Sequence, residues 1–200
     1  MAEHYFSSRP TSRPEIGLLK CHLRGLHFEF LTSTGVFSHR RIDNGTMLLI
    51  DSMELPDSGS ALDMGCGYGA VGIVAAVLRP SLDVWMTDVN SRATKLAQEN
   101  ALRNHARNVR VVKGSLYEPV RDLNFDVILT NPPFTAGMDR VVEPIIEDSK
   151  GHLRTGGSLQ LVVRTNKGGN QVAQLMKQYY GDFDILARRS GYRVLRATKG

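Results

Sequence analysis

The sequence predicts an α/β fold: a mainly parallel sheet, helices on both faces, and an antiparallel hairpin at the carboxyl end. Three observations lead there. From residue 60 onward, short β-prone runs alternate with stretches of helical periodicity, the pattern of successive βαβ units. A glycine-rich run, "GCGYGAVG" at 65–72, joins the first of these strands to its helix. Only "RRSG" separates the last two strands, too little for a parallel crossover, so they pair antiparallel.

Taken in order, residues 1–25 are mixed and polar, with Pro10 and Pro14, and read as an N-terminal arm with a helix around 14–24. Residues 26–200 read as one domain. "LHFEFLT" alternates Leu26, Phe28 and Phe30 with polar partners, as a half-buried strand does. "TGVFSHRRIDNG" reads as a loop and "TMLLIDSM" as a short helix. "SALDM" is a strand, and "AVGIVAAVLR" is its apolar helix. "LDVWMT" is the next strand. Its helix, "SRATKLAQENALRN", places Ala93, Leu96, Ala97 and Ala101 on one face. Strands "VRVV" and "FDVILT" follow, then a helix through 139–153 that Pro144 should kink or split. Strand "SLQLVV", a helix near 168–180 and strands "FDILA" and "YRVLRA" complete the chain.

The bulk properties narrow the class. With 200 residues, 42% hydrophobic and 22% charged, the chain suits one globular domain. Its apolar runs fall far short of a membrane span, and its start lacks a signal-peptide pattern. Cys21 and Cys66 have no metal spacing and read as reduced thiols, which places the protein in the cytoplasm. The six histidines are scattered, without metal spacing or a nucleophile partner. The net charge of +5 is concentrated at the ends: Arg188, Arg189, Arg193, Arg196 and Lys199 have no acid among them. Such a tail is either a solvated face or a phosphate footprint.

The glycine run carries the first chemistry. Asp63 ends a strand, and Gly65, Gly67 and Gly69 lead into a helix whose N-terminus suits an anion. Asp88, followed by Val89 and Asn90, ends the next strand, where a carboxylate can accept from both hydroxyls of a ribose. Asp88 could instead cap the next helix, but Asn90 or Ser91 can do that. Asp63 discriminates between cofactors: it repels a pyrophosphate and suits the ammonium of S-adenosyl-L-methionine. Tyr68, inside the glycine loop, either stacks near the cofactor or covers the turn.

"LTNPPF" at 129–134 carries the second. Two prolines take the chain stiffly out of a strand, holding the Asn131 amide and the Phe134 ring at its mouth. The Asn131 oxygen and the Pro132 carbonyl can both accept from a planar NH2, with Pro133 fixing the turn, while Phe134 stacks on the ring that bears the amine. The competing reading is a proline-rich turn with Phe134 plugging the core. "TNKGGNQ" at 165–171 reads as a basic strand–helix connector that could touch substrate.

In this order, "LDMGCGYGAVG", "TDVN" and "LTNPPF" resemble class I, Rossmann-like S-adenosylmethionine-dependent methyltransferases that act on planar amino nitrogens. More narrowly, "GVFSHRRIDNGTMLL", "GSLYEPV", "NPPFTAG" and "GYRVLRA" resemble the RsmC-like family of small-subunit ribosomal RNA guanine-N2 methyltransferases, in a single-domain version, over about residues 26–198. The resemblance implies a seven-stranded sheet and S-adenosylmethionine as cofactor. It implies RNA as partner, ribosomal RNA or the small-subunit particle. It places "GVFS" and "IDNG" over the cofactor, with Gly35, Phe37, Asp43 and Gly45 as contacts, and puts Ser115 and Leu116 at the adenine. Two alternatives stay open: the same chemistry on a DNA adenine or a protein glutamine, and a non-catalytic nucleotide-binding subunit. DNA enzymes commonly need further target-reading elements, and glutamine-modifying relatives more typically read NPPY.

Overall fold

The computed structural model describes residue 13 and residues 15–200. The rest of the expected arm, with His4, lies outside the described residues. The helix expected around 14–24 is a strand instead. β1 (Ile16–Leu23) pairs antiparallel with β2 (Leu26–Ser33), in a register that closes at Leu23 and Leu26. The turn between them is Arg24-Gly25, both with positive φ (49° and 83°), the backbone of a tight hairpin turn. A pairing partner two residues downstream outweighs the local helical spacing of Ile16, Leu19 and Leu23. The other edge of β2 is satisfied by side chains. Asn100 and Asn104, one turn apart on α3 (Ser91–Arg103) and at its C-cap, bond the backbone of Leu31 and Glu29 at 2.7–3.0 Å.

The remaining strands form a single seven-stranded sheet, as expected. They are β3 (Gly59–Met64), β4 (Leu82–Asp88), β5 (Val109–Lys113), β6 (Phe125–Thr130), β7 (Leu153–Arg164), β8 (Asp184–Arg189) and β9 (Tyr192–Thr198). Their order is β5-β4-β3-β6-β7-β9-β8. The first five are parallel, and β9 pairs antiparallel with both β7 and β8.

Alternation along the strands sorts the core into two layers. Ala61, Val84, Met86, Val127 and Leu129 pack with α1 (Asn44–Ser52), α2 (Ala70–Leu78) and α3 on one face. Leu62, Met64, Ile128, Leu159 and Leu161 pack with α4 (Glu143–His152) and α5 (Gly169–Tyr180) on the other. Pro144 does split the segment expected as one helix. It sits in the first turn of α4, where a missing N–H breaks no helical bond, and a π-type turn, Met138–Val142, precedes it.

The strand order reverses between β3 and β6. The crevice outside their carboxyl ends is where this architecture binds ligands. Among the described residues, no helix is long and apolar enough to cross a membrane.

Candidate active site

A cleft of about 620 Å³ opens at the carboxyl ends of β3, β4, β6 and β7. Gly65, Gly67, Asp88, Val89, Ser115 and Leu116 line one side, and Asn131 through Phe134 line the other. Phe37, 39% exposed, and Asp43 enter from the segment before α1. The two motifs, at 65–72 and 129–134 in the sequence, therefore face one cavity.

The glycine loop is built to leave room. Gly65 and Gly67 have φ of +70° and +58°, and a Cβ on either would meet no atom within 4 Å. The backbone there borders space that a ligand can fill, which fits a cofactor held against bare peptide. Gly72 is small for a different reason: a Cβ would lie 2.5 Å from the Met86 sulfur, so it sets the approach of α2 to the sheet.

Asp88 organises this side. Its Oδ2 accepts from the Gly67 N–H at 2.9 Å and its Oδ1 from the Asn90 N–H at 2.8 Å. Burial raises its pKa, opposed by these backbone donors. Asn90 caps α3 by accepting from Arg92 and Ala93, so Asp88 is free of that task, as expected. Leu116 has positive φ (47°), which a branched side chain adopts only when its surroundings hold it there.

Six sequence candidates are not on the cleft lining. The Gly35 carbonyl accepts from the Asn90 amide at 2.8 Å, and the Gly45 N–H donates to Asp43 Oδ1 at 2.8 Å. Asp63 is 2% exposed, and its Oδ2 accepts from the Gly72 N–H at 2.8 Å, pinning the start of α2 beneath the loop. Burial, with the nearby Asp88 charge, pushes its pKa to about 7. Tyr68 is buried with its ring 5.7 Å from Phe30 and covers the turn. Gly69 is crowded by Ile73 and Ala97. Asn90 is the cap just described. Cys66 is buried, and burial together with Asp88 and Asp63 pushes its thiol up, so it is inert.

The other side is built around Asn131. Its Nδ2 donates to Asp43 Oδ2 at 3.2 Å and to Thr46 Oγ1 at 2.9 Å. Thr46 in turn donates its hydroxyl to Asp43. Both amide hydrogens are thus engaged from behind, and Oδ1 has no partner among the described residues. Phe134 N–H donates to the Pro132 carbonyl at 3.0 Å across Pro133, whose φ of −77° and ψ of 84° make an inverse γ-turn. The Pro132 oxygen keeps one lone pair. Phe134 is half-buried against Gly168, with ring carbons 3.4 and 3.6 Å from where a Cβ would stand. The turn and the aromatic wall are one construction, and Phe134 is not a sealed core plug.

Sequence reasoning missed several lining or supporting residues: Thr46, Arg140, Arg164 and Tyr192. Thr46 had a signal, three residues after the capping Asp43. Arg140 had none, because the π-type turn that carries it was read as helix. The basic tail is largely used up: Arg189 pairs with Asp51 at 2.7 Å, and Arg196 pairs with both Glu54 and Asp184. A more open groove of about 670 Å³ lies at the amino ends of the strands, but its arginines, Arg110 and Arg154, are paired with Asp83 and Asp126. Among the described residues, no group of acids, histidines and cysteines could hold a metal.

The chain matches the family model of the methyltransferase small domain over residues 27–196. It is 36% identical over 201 residues to the uncharacterized protein YbxB of Bacillus subtilis (strain 168), covering 100% of both. It is 34% identical over 170 residues to ribosomal RNA small subunit methyltransferase C of Hamiltonella defensa subsp. Acyrthosiphon pisum (strain 5AT), covering 84% of this chain and 49% of that relative. The chain therefore spans about half the length of that named relative. In fold it is similar to the T. thermophilus 16S rRNA N2 methyltransferase (RsmC) in complex with AdoMet and guanosine. That match has 24% identity and a TM-score of 0.83, and covers 96% of this chain and 52% of that one.

Proposed function

The chain belongs to the methyltransferase small-domain family, of the class I, RsmC-like kind, and from that premise we propose that it methylates the exocyclic amino nitrogen of guanine in RNA, in the manner of a ribosomal RNA guanine-N2 enzyme. Its methyl donor is S-adenosylmethionine, which supplies an electrophilic methyl on a sulfonium. Asp88 is the residue to hold the ribose, Gly65 and Gly67 to admit the amino acid end, and Ser115 with Leu116 to border the adenine.

The observation that carries the reading is the anchored amide. With both Asn131 hydrogens held by Asp43 and Thr46, its free face is an acceptor. An aromatic amine is a poor nucleophile because its lone pair is conjugated with the ring. Asn131 Oδ1 and the Pro132 carbonyl can each accept one of its hydrogens. This turns the lone pair out of conjugation and stabilises the charge that develops on nitrogen. Phe134 holds the ring that bears the amine, so positioning carries much of the rate. The C–N bond forms as the sulfonium's C–S bond breaks, leaving a neutral thioether. No strong base is required, because the now cationic nitrogen is acidic enough to lose its proton to water.

The test is transfer of a labelled methyl from S-adenosylmethionine to total RNA, DNA and protein in parallel. Label in RNA alone is expected. Label in DNA or protein, with RNA unlabelled, overturns the proposal and moves the same chemistry to another substrate. No label anywhere, from protein that binds the cofactor, favours a non-catalytic role.

A further inference from the structure

The charges of the cleft change sign across it. Its acids, Asp43 and Asp88, already accept hydrogen bonds from backbone N–H groups, and Asp43 also from Thr46 and Asn131. Three cations line the same cleft from the β6, β7 and β9 side: Arg140 on the π-type turn, Arg164 at the end of β7, and Lys167 in the loop before α5. All three are exposed, and none is in an ion pair among the described residues. Other arginines of the chain do find acids, Arg189 and Arg196 among them.

Arg164 is also prepared. Its Nε donates to the Tyr192 hydroxyl at 2.8 Å, and its guanidinium lies 5.1 Å from the centre of that ring. The two terminal nitrogens have no partner among the described residues. A guanidinium fixed through Nε presents a fork suited to phosphate oxygens. A Cβ on Gly168, next to Lys167, would stand 3.1 Å from the Met138 methyl and 3.4 Å from the Phe134 ring, so this loop runs close to both, and Met138 is two residues before Arg140. The cations thus flank the aromatic wall from two loops.

We infer that Arg140, Arg164 and Lys167 form a phosphate-binding rim that holds the backbone of single-stranded RNA on either side of the nucleotide presented to Phe134 and Asn131. The inference rests on the proposed RNA reading and deepens it. Cations interleaved with the aromatic rings Phe37 and Phe134 match the way single strands are held, by backbone charge and base stacking together. A duplex would keep the reacting base in its stack, out of reach of Asn131. A peptide substrate would have no need of three unpaired cations around an amide-sized site.

The test is binding of a fluorescently labelled short single-stranded RNA with one central guanine, read by anisotropy over a range of salt. The protein is used alone. Arg140→Gln, Arg164→Gln and Lys167→Gln should each reduce the log–log salt slope by about 0.7, and all three together by about two. Arg121→Gln, in the loop before β6 next to the groove at the amino ends of the strands, should leave it unchanged, and melting curves should show every variant folded. The same RNA with uncharged methylphosphonate linkages around the guanine should bind the wild type and the triple variant alike. Unchanged slopes in the rim variants, or no RNA binding at all, overturn the inference. So does polyglutamate bound as tightly as RNA and weakened by the same substitutions. The readout is separate from methyl transfer: rim-dependent RNA binding without guanine methylation counts against the proposed reaction and leaves the rim standing.

Discussion

Asn131 Nδ2 lies 3.2 Å from Asp43 Oδ2, and this contact ties the proposed reacting turn after β6 to the segment that enters α1, 88 residues earlier. Thr46 closes the triangle, accepting from Asn131 at 2.9 Å while donating to Asp43. The amide is therefore aimed by residues with no necessary contact to the amine. Thr46→Val removes one support and keeps the side-chain shape. It should slow methyl transfer by about tenfold, the worth of one buried hydrogen bond, with S-adenosylmethionine affinity unchanged by calorimetry. A full-rate Thr46→Val protein would show that the amide needs no such support.

Asn131→Ala removes the acceptor itself. Turnover should fall by about a hundredfold or more, the usual loss when one preorganised hydrogen-bonding group at a charge-developing centre is deleted. Cofactor affinity should be nearly retained. Equal losses in turnover and cofactor binding would mean that Asn131 serves the donor and not the amine.

Much of this was legible in the sequence. The seven strands from residue 59 onward, the parallel sense of the first five and the closing antiparallel hairpin follow from periodicity and connector length. The Asn131–Phe134 turn and Asp88 follow from residue type at a strand end. What stayed hidden depends on contacts between distant segments. β1 takes its form from pairing with β2, and Asn100 and Asn104 serve β2 from 69 and 75 positions away in the chain. Asp63 shows its backbone role only once Gly72 stands beside it. Arg140 reaches the cleft because a π-type turn replaces the helix that local spacing favours.

Phe134 is half-buried, so its two possible roles separate. Phe134→Ala should weaken substrate use by about 1–3 kcal/mol, the range for base stacking on a ring. Its stability cost should stay below the about 3–5 kcal/mol of a fully buried phenylalanine. Phe134→Tyr keeps the flat ring and most of the activity. A collapsed melting temperature, with normal methylation by the folded fraction, would assign Phe134 to packing alone.

Asp88→Ala should weaken S-adenosylmethionine binding by about 1.5–3 kcal/mol, the worth of a hydrogen bond to a charged group. It also releases the Gly67 and Asn90 amides, so the glycine loop should gain hydrogen exchange at Gly67. Undiminished affinity would remove Asp88 from the cofactor site.

Asp63 gives a pH signature. Its folded pKa of about 7 exceeds the ordinary 3.8 because burial penalises the charge and Asp88 adds to that. The folded state holds the proton more tightly than the unfolded one. Its contribution to stability is therefore complete below about pH 4 and is lost as pH rises through about 7. Asp63→Asn keeps an acceptor for Gly72 and removes the titration. Its melting temperature should fall less than that of the wild type between about pH 4 and pH 8. An identical pH dependence in the two proteins would mean that Asp63 does not titrate in that window.

The central claim is that the held amide of Asn131 receives a guanine amine. The direct measurement is nucleoside analysis by mass spectrometry of small-subunit ribosomal RNA after incubation with the protein and S-adenosylmethionine. N2-methylguanosine formed by the wild type and absent with Asn131→Ala is the predicted result. Methyl on adenosine or cytidine, or N2-methylguanosine formed equally by the Asn131→Ala protein, would contradict it.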